Sequence, residues 1–273
     1  MPTRLLFALI ALLLLITLPN LAGLYTDWLW FGETGYQGVF LKSLTTKALL
    51  GIVVFVAAFV VLLSNFRLAL RGPTHPYTVF PGGGDLQPVV LEQKHLALLA
   101  AGVSALIALF MATAASSQWM VVLQFLDATP FGTIDTLFGR DAGFYIFTLP
   151  FLDFVRYLFL AAVVLSFIGS TAAYVIAEQV SLTPEGLKVA PRPRQHLALL
   201  VAAGFLLFAW GAFLDMPRTL MNEAGIIHGA SYTDVAVRLP VLRILIVVAG
   251  LGAAAAAYAA FTSTIWPVAV AVS

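Results

Sequence analysis

LLGIVVFVAAFVVLLSNFRL, Leu49 to Leu68, is the stretch whose reading decides the fold class. It is apolar without alternation as far as Leu63, so it lacks the period of a half-buried strand. A helix of this length covers the roughly 30 Å hydrocarbon core of a bilayer, which needs about 20 residues at 1.5 Å each. Backbone polar groups in lipid must find partners within the protein, which leaves helices and closed barrels as spanning structures. Continuous apolar character selects the helix.

Five more runs share this character: Leu5 to Leu24, Leu96 to Ser116, Phe154 to Ala177, Leu197 to Leu214 and Val241 to Phe261. A seventh opens at Ile265 with Trp266 and Pro267, but the sequence stops at Ser273, too soon to span. The expectation is an all-α, polytopic helical membrane protein forming a single domain over residues 1–273. Its six spans are 5–24, 49–68, 96–116, 154–177, 197–214 and 241–261, followed by the start of a seventh at 265–273. Interfacial helices are expected in the outer loops.

Composition agrees. The chain is 61% hydrophobic and 10% charged, against roughly half and a quarter in soluble domains, and its mean hydropathy is +0.99. A net charge of +1 supplies no basic field for nucleic acid, so none is expected as a partner. With no cysteine there is no disulfide, thiolate metal site or cysteine nucleophile. The first run also has the features of a secretory signal: Arg4, an apolar Leu5 to Leu18, and small residues Ala22 and Gly23. Apolar character continuing through Leu21 and Leu24 favours a retained helix, kinked at Pro19.

Loop charges orient the spans. With the N-terminus cytoplasmic, the inside segments carry Arg4, Arg67, Arg71, Lys94, Lys188, Arg192 and Arg194. The longer outside loops carry Lys42, Lys47, Arg140, Arg218 and Arg238, so the basic residues are denser inside. Outside, DWLWFGETGYQGVF (Asp27 to Phe40) places Trp28, Trp30, Phe31, Tyr36 and Phe40 just beyond the first span, as an interfacial belt would. The loop from Gln118 to Phe154 is apolar but interrupted by Pro130, Gly132, Gly139, Gly143 and Pro150, which predicts short helices in the interface. Its acids Asp127, Asp135, Asp141 and Asp153 could offer oxygen ligands to a hard cation, but their spacing matches no EF-hand loop and the glycines read as turns. No metal or cofactor is expected.

Three motifs in order carry a resemblance: DWLWFGETGYQGVF after the first span, FGTIDTLFGRDAGFYIFTLPF before the fourth, and GASYTDVAVRLP before the sixth. Together they resemble the bacterial membrane proteins of uncharacterised protein family 0182, over essentially the whole chain but only the N-terminal membrane part of the family. The resemblance implies a seventh span and a large extracytoplasmic region beyond it in relatives, and it supplies no catalytic residue. Thr136 departs from the proline expected after the aspartate, which implies a less rigid turn. The stop at Ser273 reads as a truncated or split version of a longer protein, with a free-standing six-span protein as the alternative.

Catalytic constellations are weak. His75, His95 and His196 fall in or beside inside loops and His228 in an outside loop, so no serine at helix depth has a histidine partner in reach of sequence. No H-E-x-x-H occurs, and PGGG at Pro81 to Gly84 lacks the Gly-Lys-Ser/Thr of a phosphate loop. APRPRQH, Ala190 to His196, reads as a basic juxtamembrane tether that fixes topology and can touch anionic lipid. Asp153 with Arg156, and Asp215 with Arg218, are three apart near the outer interface and are expected to pair locally. Arg243 enters the sixth span three residues after Pro240.

Ala100, Ser104, Ala108, Ala112 and Ser116 recur every fourth residue, and Gly250, Gly252 and Ala253 to Ala257 crowd the last span, faces that let helices approach closely. The favoured reading is a membrane-anchoring scaffold for extracytoplasmic segments. Its partners are the lipid bilayer and either a homo-oligomer or another envelope protein. A transporter or lipid-handling protein is the alternative, and an enzyme ranks third.

Overall fold

The computed structural model describes residues 2–71, 77–79, 89–91, 93–183, 186–221, 223–224 and 227–262, without the side chains of residues 2–14, 16, 17, 77–79, 89–91, 93, 182, 183, 187, 223, 224, 227 and 228. Seven α-helices appear among the described residues: α1 (Pro2–Glu33), α2 (Gln37–Leu70), α3 (Gln93–Ser116), α4 (Trp119–Leu126), α5 (Leu149–Ile176), α6 (Pro191–Arg218) and α7 (Leu239–Phe261). Five segments are long and apolar enough to cross a membrane, namely Gln37–Leu70, Lys94–Ser116, Phe144–Ile176, Pro191–Met221 and Asp234–Phe261. The expected first span, 5–24, lies in α1, most of whose early side chains are not described, and the start of a seventh at 265–273 lies outside the described residues. The helical class stands, and the count that stands with it is five.

Two features depart from the expectation. Helices run past the apolar stretches, α1 to Glu33 and α2 from Gln37, so the aromatic belt is itself mostly helical and turns at Gly35, whose φ is +77°. Across that turn the Phe31 and Phe40 rings meet at 5.4 Å. The description as all-α also needs three small antiparallel hairpins: β1 (Tyr77–Val79) with β2 (Val89–Leu91), β3 (Val180–Thr183) with β4 (Gly186–Val189), and β5 (Glu223–Ala224) with β6 (Ile227–His228). They join α2 to α3, α5 to α6 and α6 to α7.

The long helices stand in a row, in the order α3, α2, α5, α6, α7, and α1 leans lightly on α2. Small residues make the row tight. Ala100, Ser104, Ala108 and Ala112 are all buried, so the four-residue stripe of α3 is the face that meets α2, against Val54, Ala58, Leu62 and Phe66. At its end the Ser116 hydroxyl donates to the Lys47 carbonyl at 3.0 Å. A Cβ at Gly169 of α5 would collide with the Phe66 ring, and one at Gly252 of α7 would sit 3.0 Å from the Phe205 ring. Ala249, Gly252, Ala253, Ala256 and Ala260 bury the matching face of α7. The outward faces carry Phe110, Leu206, Phe208, Val247 and Leu251, all exposed. So much exposed apolar surface is what lipid would cover and water would not.

α5 and α7 begin alike. Phe144–Thr148 and Asp234–Arg238 are π-helical turns, closed by the N–H groups of Leu149 and Leu239 donating to the carbonyls five residues back. Proline follows each leucine, at Pro150 and Pro240. A proline ring clashes with the carbonyl four residues earlier in an α-helix, and the wider turn relieves that crowding where no N–H is available to close a tighter one.

Candidate functional site

Two polar regions stand out, one at each end of the row. At the end carrying α4 and the π-turns, residues 127–143 fold into a cap. α4 docks through Phe125, whose ring stacks on Phe151 of α5 at 3.9 Å and 6°. Lys42 of α2 pairs with Asp127 at 2.6 Å in an exposed bridge. One eight-residue helix forms in this loop, where several interfacial ones were expected, and the rest of the loop is held by side chains.

Two aspartates do that holding. Asp135 Oδ1 accepts from the backbone N–H groups of Leu137 (2.9 Å) and Phe138 (2.5 Å), and its Oδ2 accepts from Arg140 N (2.8 Å) and the Tyr145 hydroxyl (2.7 Å). Asp141 takes the N–H groups of Phe131, Gly132 and Gly143 at 3.0, 2.8 and 2.7 Å. Gly132 and Gly139 supply the positive φ that lets the chain fold around these carboxylates. A single bridge, Ile134 with Asp141, closes the loop. For Asp135, desolvation is the largest influence and raises the pKa, but the donors from Phe138, Tyr145, Arg140 and Leu137 together carry it down to about 2. Asp141 is lowered too, chiefly by the Phe131 and Gly143 N–H groups. These lone pairs are spent on the loop itself, which is why the acids read as turn-makers.

Beneath the cap the two expected ion pairs merge. Arg218 of α6 bonds Asp215 at 2.5 Å and also reaches across to Asp153 of α5. Arg156 lies 4.0 Å from Asp153, and both side chains are 13% exposed. The Arg156 guanidinium lies over the Tyr157 ring at 4.4 Å and against Gly211 of α6, where a Cβ would come within 2.7 Å of it. Gly211 is the signal that local spacing could not carry, because it opens α6 to an arginine from α5. Asp153 Oδ1 and Arg156 Nε are buried without a hydrogen-bond partner among the described residues. At the start of α7, Asp234 pairs with Arg238 at 3.6 Å and accepts the Ser231 hydroxyl at 2.8 Å. Arg243 is exposed.

At the opposite end, a chain of side chains ties three helices together. Asn65 of α2 gives its Nδ2 to the Val61 carbonyl at 2.7 Å, so its Oδ1 faces His196 Nε2, also at 2.7 Å. That arrangement makes Nε2 the protonated nitrogen and leaves Nδ1 to accept from the Tyr174 hydroxyl at 3.0 Å. Asn65 went unremarked in the sequence because one amide in an apolar run names no partner. APRPRQH, expected as a juxtamembrane tether, is helical from Pro191 and forms the first turns of α6. His95 is exposed near the start of α3, while His75 and Pro81 to Gly84 lie outside the described residues.

Beside this chain lies a cavity of about 500 Å³ between the end of α2, the end of α5 and the start of α6. Arg71, Arg192, Gln179 and Gln195 give it polar walls, and Leu68 and Leu199 border it. Gln179 is placed there by the way α5 ends. The Glu178 and Gln179 N–H groups donate back to the Val175 and Tyr174 carbonyls, a Schellman closure with Glu178 in the left-handed region at φ +54°.

The chain matches the Uncharacterised protein family (UPF0182) over residues 4–273. It is similar to a UPF0182 protein of Geobacter sulfurreducens, 34% identical over 262 residues that cover 92% of this chain and 29% of that protein. A UPF0182 protein of Cupriavidus necator is 34% identical over 245 residues, covering 89% and 26%, and one of Saccharopolyspora erythraea is 33% identical over 246, covering 88% and 25%. The chain thus spans under a third of the length of these curated relatives. No solved structure matches it. A match over nearly every residue, with relatives a third identical over most of its length, shows that the chain belongs to the Uncharacterised protein family (UPF0182).

Proposed function

We propose that this chain is a membrane-anchoring scaffold domain of the cell membrane, its N-terminus cytoplasmic and its cap facing outward. The folded cap carries this reading. A loop that only linked two spans would not need two aspartates accepting seven hydrogen bonds to hold its shape. A shaped platform locked to α5 by stacked rings suits the docking of extracytoplasmic segments, whether from a longer chain of this family or from another envelope protein. The orientation rests on the denser Lys and Arg of the end opposite the cap. Purification from native membranes in mild detergent should recover a stoichiometric partner or a defined homo-oligomer, and Asp135→Ala with Asp141→Ala should abolish the association. A monomer without partners counts against the proposal.

A transporter or lipid-handling role is the second reading, favoured by Arg156 and Asp153. Charge this deep in a helix interface is costly in lipid and commonly marks a pathway. Flux or lipid transfer at background level after reconstitution removes it.

A further inference from the structure

The cavity at the end opposite the cap, where β3–β4 joins α5 to α6, has a chemistry that the scaffold role does not use. Arg71 ends α2 and Arg192 opens α6, so two guanidinium groups from separate helices face one space, and no Asp or Glu is among the described residues that line it. Arg192 also stands in the first turn of a helix, where the macrodipole disfavours a cation. An anion seated between the two arginines would relieve that conflict. The backbone adds little there, since Pro191 and Pro193 have no N–H to offer, which leaves recognition to side chains.

A further donor waits in the same cavity. Gln179 Nε2 is buried and has no hydrogen-bond partner among the described residues, an arrangement that costs free energy unless something accepts from it. His196 and Tyr174 form part of the wall, but their mutual bond and the Asn65 contact already occupy both ring nitrogens. They shape the site and leave the arginines and Gln179 to bind. Beyond the polar wall, Leu68 and Leu199 are both exposed and continue onto the apolar flanks of α2 and α6. A ligand that suits this geometry has a phosphate at one end and a hydrocarbon tail at the other.

We propose that the α2–α5–α6 cavity binds the phosphate headgroup of an anionic phospholipid from the leaflet on the side opposite the cap. Arg71 and Arg192 hold the phosphate oxygens, Gln179 donates to them, and the acyl chains lie along Leu68 and Leu199. The inference rests on the membrane part of the proposed function and not on the scaffold role, because binding here is read without any protein partner.

The test uses the full chain purified in uncharged detergent, with thermal unfolding followed as lipid is added. A ligand that binds only the folded state raises the midpoint in proportion to its occupancy. Phosphatidylglycerol should raise it saturably, and phosphatidylcholine and inorganic phosphate should not. Direct charge-assisted hydrogen bonds from two arginines are worth more than diffuse attraction, so Arg71→Gln with Arg192→Gln should weaken phosphatidylglycerol by upwards of about a hundredfold. Arg67→Gln removes one charge from the same end but outside the cavity, and should cost no more than the roughly fivefold of a diffuse surface charge. Gln179→Leu, close in volume, tests the site from α5 and should cost severalfold even if an arginine variant proves unstable. An equal loss in Arg67→Gln would mean diffuse surface attraction and overturn the site. Equal protection by phosphatidylcholine would show that headgroup charge is not read, and equal protection by inorganic phosphate would make it a soluble-anion site. Either result defeats the proposal.

Discussion

Replacing Asp135 by Ala should loosen the cap without breaking the helix row. The carboxylate accepts three backbone N–H groups and the Tyr145 hydroxyl. The backbone donors of Leu137, Phe138 and Arg140 lie in a largely exposed loop, so water can replace most of what they lose. The Tyr145 hydroxyl cannot be rescued so easily, because the residue is only 7% exposed and packs with Leu149 and Leu214. An unsatisfied buried donor costs about 1–3 kcal/mol, and hydrogen bonds to a charged group are worth about 1.5–3 kcal/mol before water competes. A total of about 2–4 kcal/mol is expected from those two contributions. Tyr145→Phe, which deletes only the hydroxyl, should cost about 1 kcal/mol, and the double variant should fall short of the sum because the two groups share one bond. Thermal unfolding in detergent measures the cost, and proteolysis of intact membranes reports on the loop at 128–143. An Asp135→Ala protein with an unchanged midpoint and an unchanged digestion pattern would refute the claim that this carboxylate organises the cap.

The same carboxylate makes the cap sensitive to acid. A folded pKa of about 2 lies below the ordinary value near 4, so the stabilisation is complete above about pH 4 and is lost as pH falls toward about 2; cap proteolysis that does not rise across that window in wild type, relative to Asp135→Asn, would contradict it. Asp153→Ala leaves Arg156 and Arg218 facing each other across α5 and α6 without their shared acid, which should cost about 3 kcal/mol in detergent unfolding, and a neutral result would mean that the cluster is solvated. Truncating Tyr145 to Ala should cost about 3 kcal/mol through lost packing, and no measurable loss would place the ring outside the bundle. In this chain without native cysteine, Glu33→Cys should react with an impermeant thiol reagent in intact cells and Lys188→Cys should not, with the reverse pattern inverting the proposed orientation.

What was legible in the sequence was what depends on solvent. Lipid demands long apolar runs, and four of the six expected spans coincide with α2, α3, α6 and α7, while a fifth coincides with α5. The stripe from Ala100 to Ser116 was legible because a four-residue repeat maps directly onto one helix face. The partners across helices were not. Asp153 and Asp215 each announce a neighbour three residues on, but nothing in either spacing says that Arg218 would join both, since that depends on how α5 and α6 cross. Asn65, Tyr174 and His196 are separated by whole spans and meet only because each lies near the same end of its helix. The β3–β4 hairpin did leave a trace in the sequence, where Pro184 and Gly186 stand between two short β-prone runs. Against long apolar stretches that local signal was easy to overlook.

The π-turns show how one backbone device can serve different chemistry. Both arise where a proline follows leucine at the entry of a long helix, and both widen the turn just before it. Three residues past Pro150 stands Asp153, partly buried and bonded to Arg218; three past Pro240 stands Arg243, exposed and outside the charge cluster. If the device existed to place a charge, the two positions should be used alike. What they share is geometric: α5 and α7 both pack against α6, from opposite sides of the row, and both enter from the cap end. A wide turn ahead of the proline lets each helix start close to α6 without driving the proline ring into the carbonyl four residues back. Removing the proline should therefore let the turn relax toward α-helical hydrogen bonding and shift every later side chain relative to the turn. Pro150→Ala is then expected to weaken the Asp153–Arg218 contact across α6, whereas Pro240→Ala should leave that cluster intact and disturb only the α6–α7 seam. If Pro150→Ala unfolded in detergent at the wild-type temperature and a further Arg218→Gln cost the same in either background, the proline would be shown to have no part in aligning the charges.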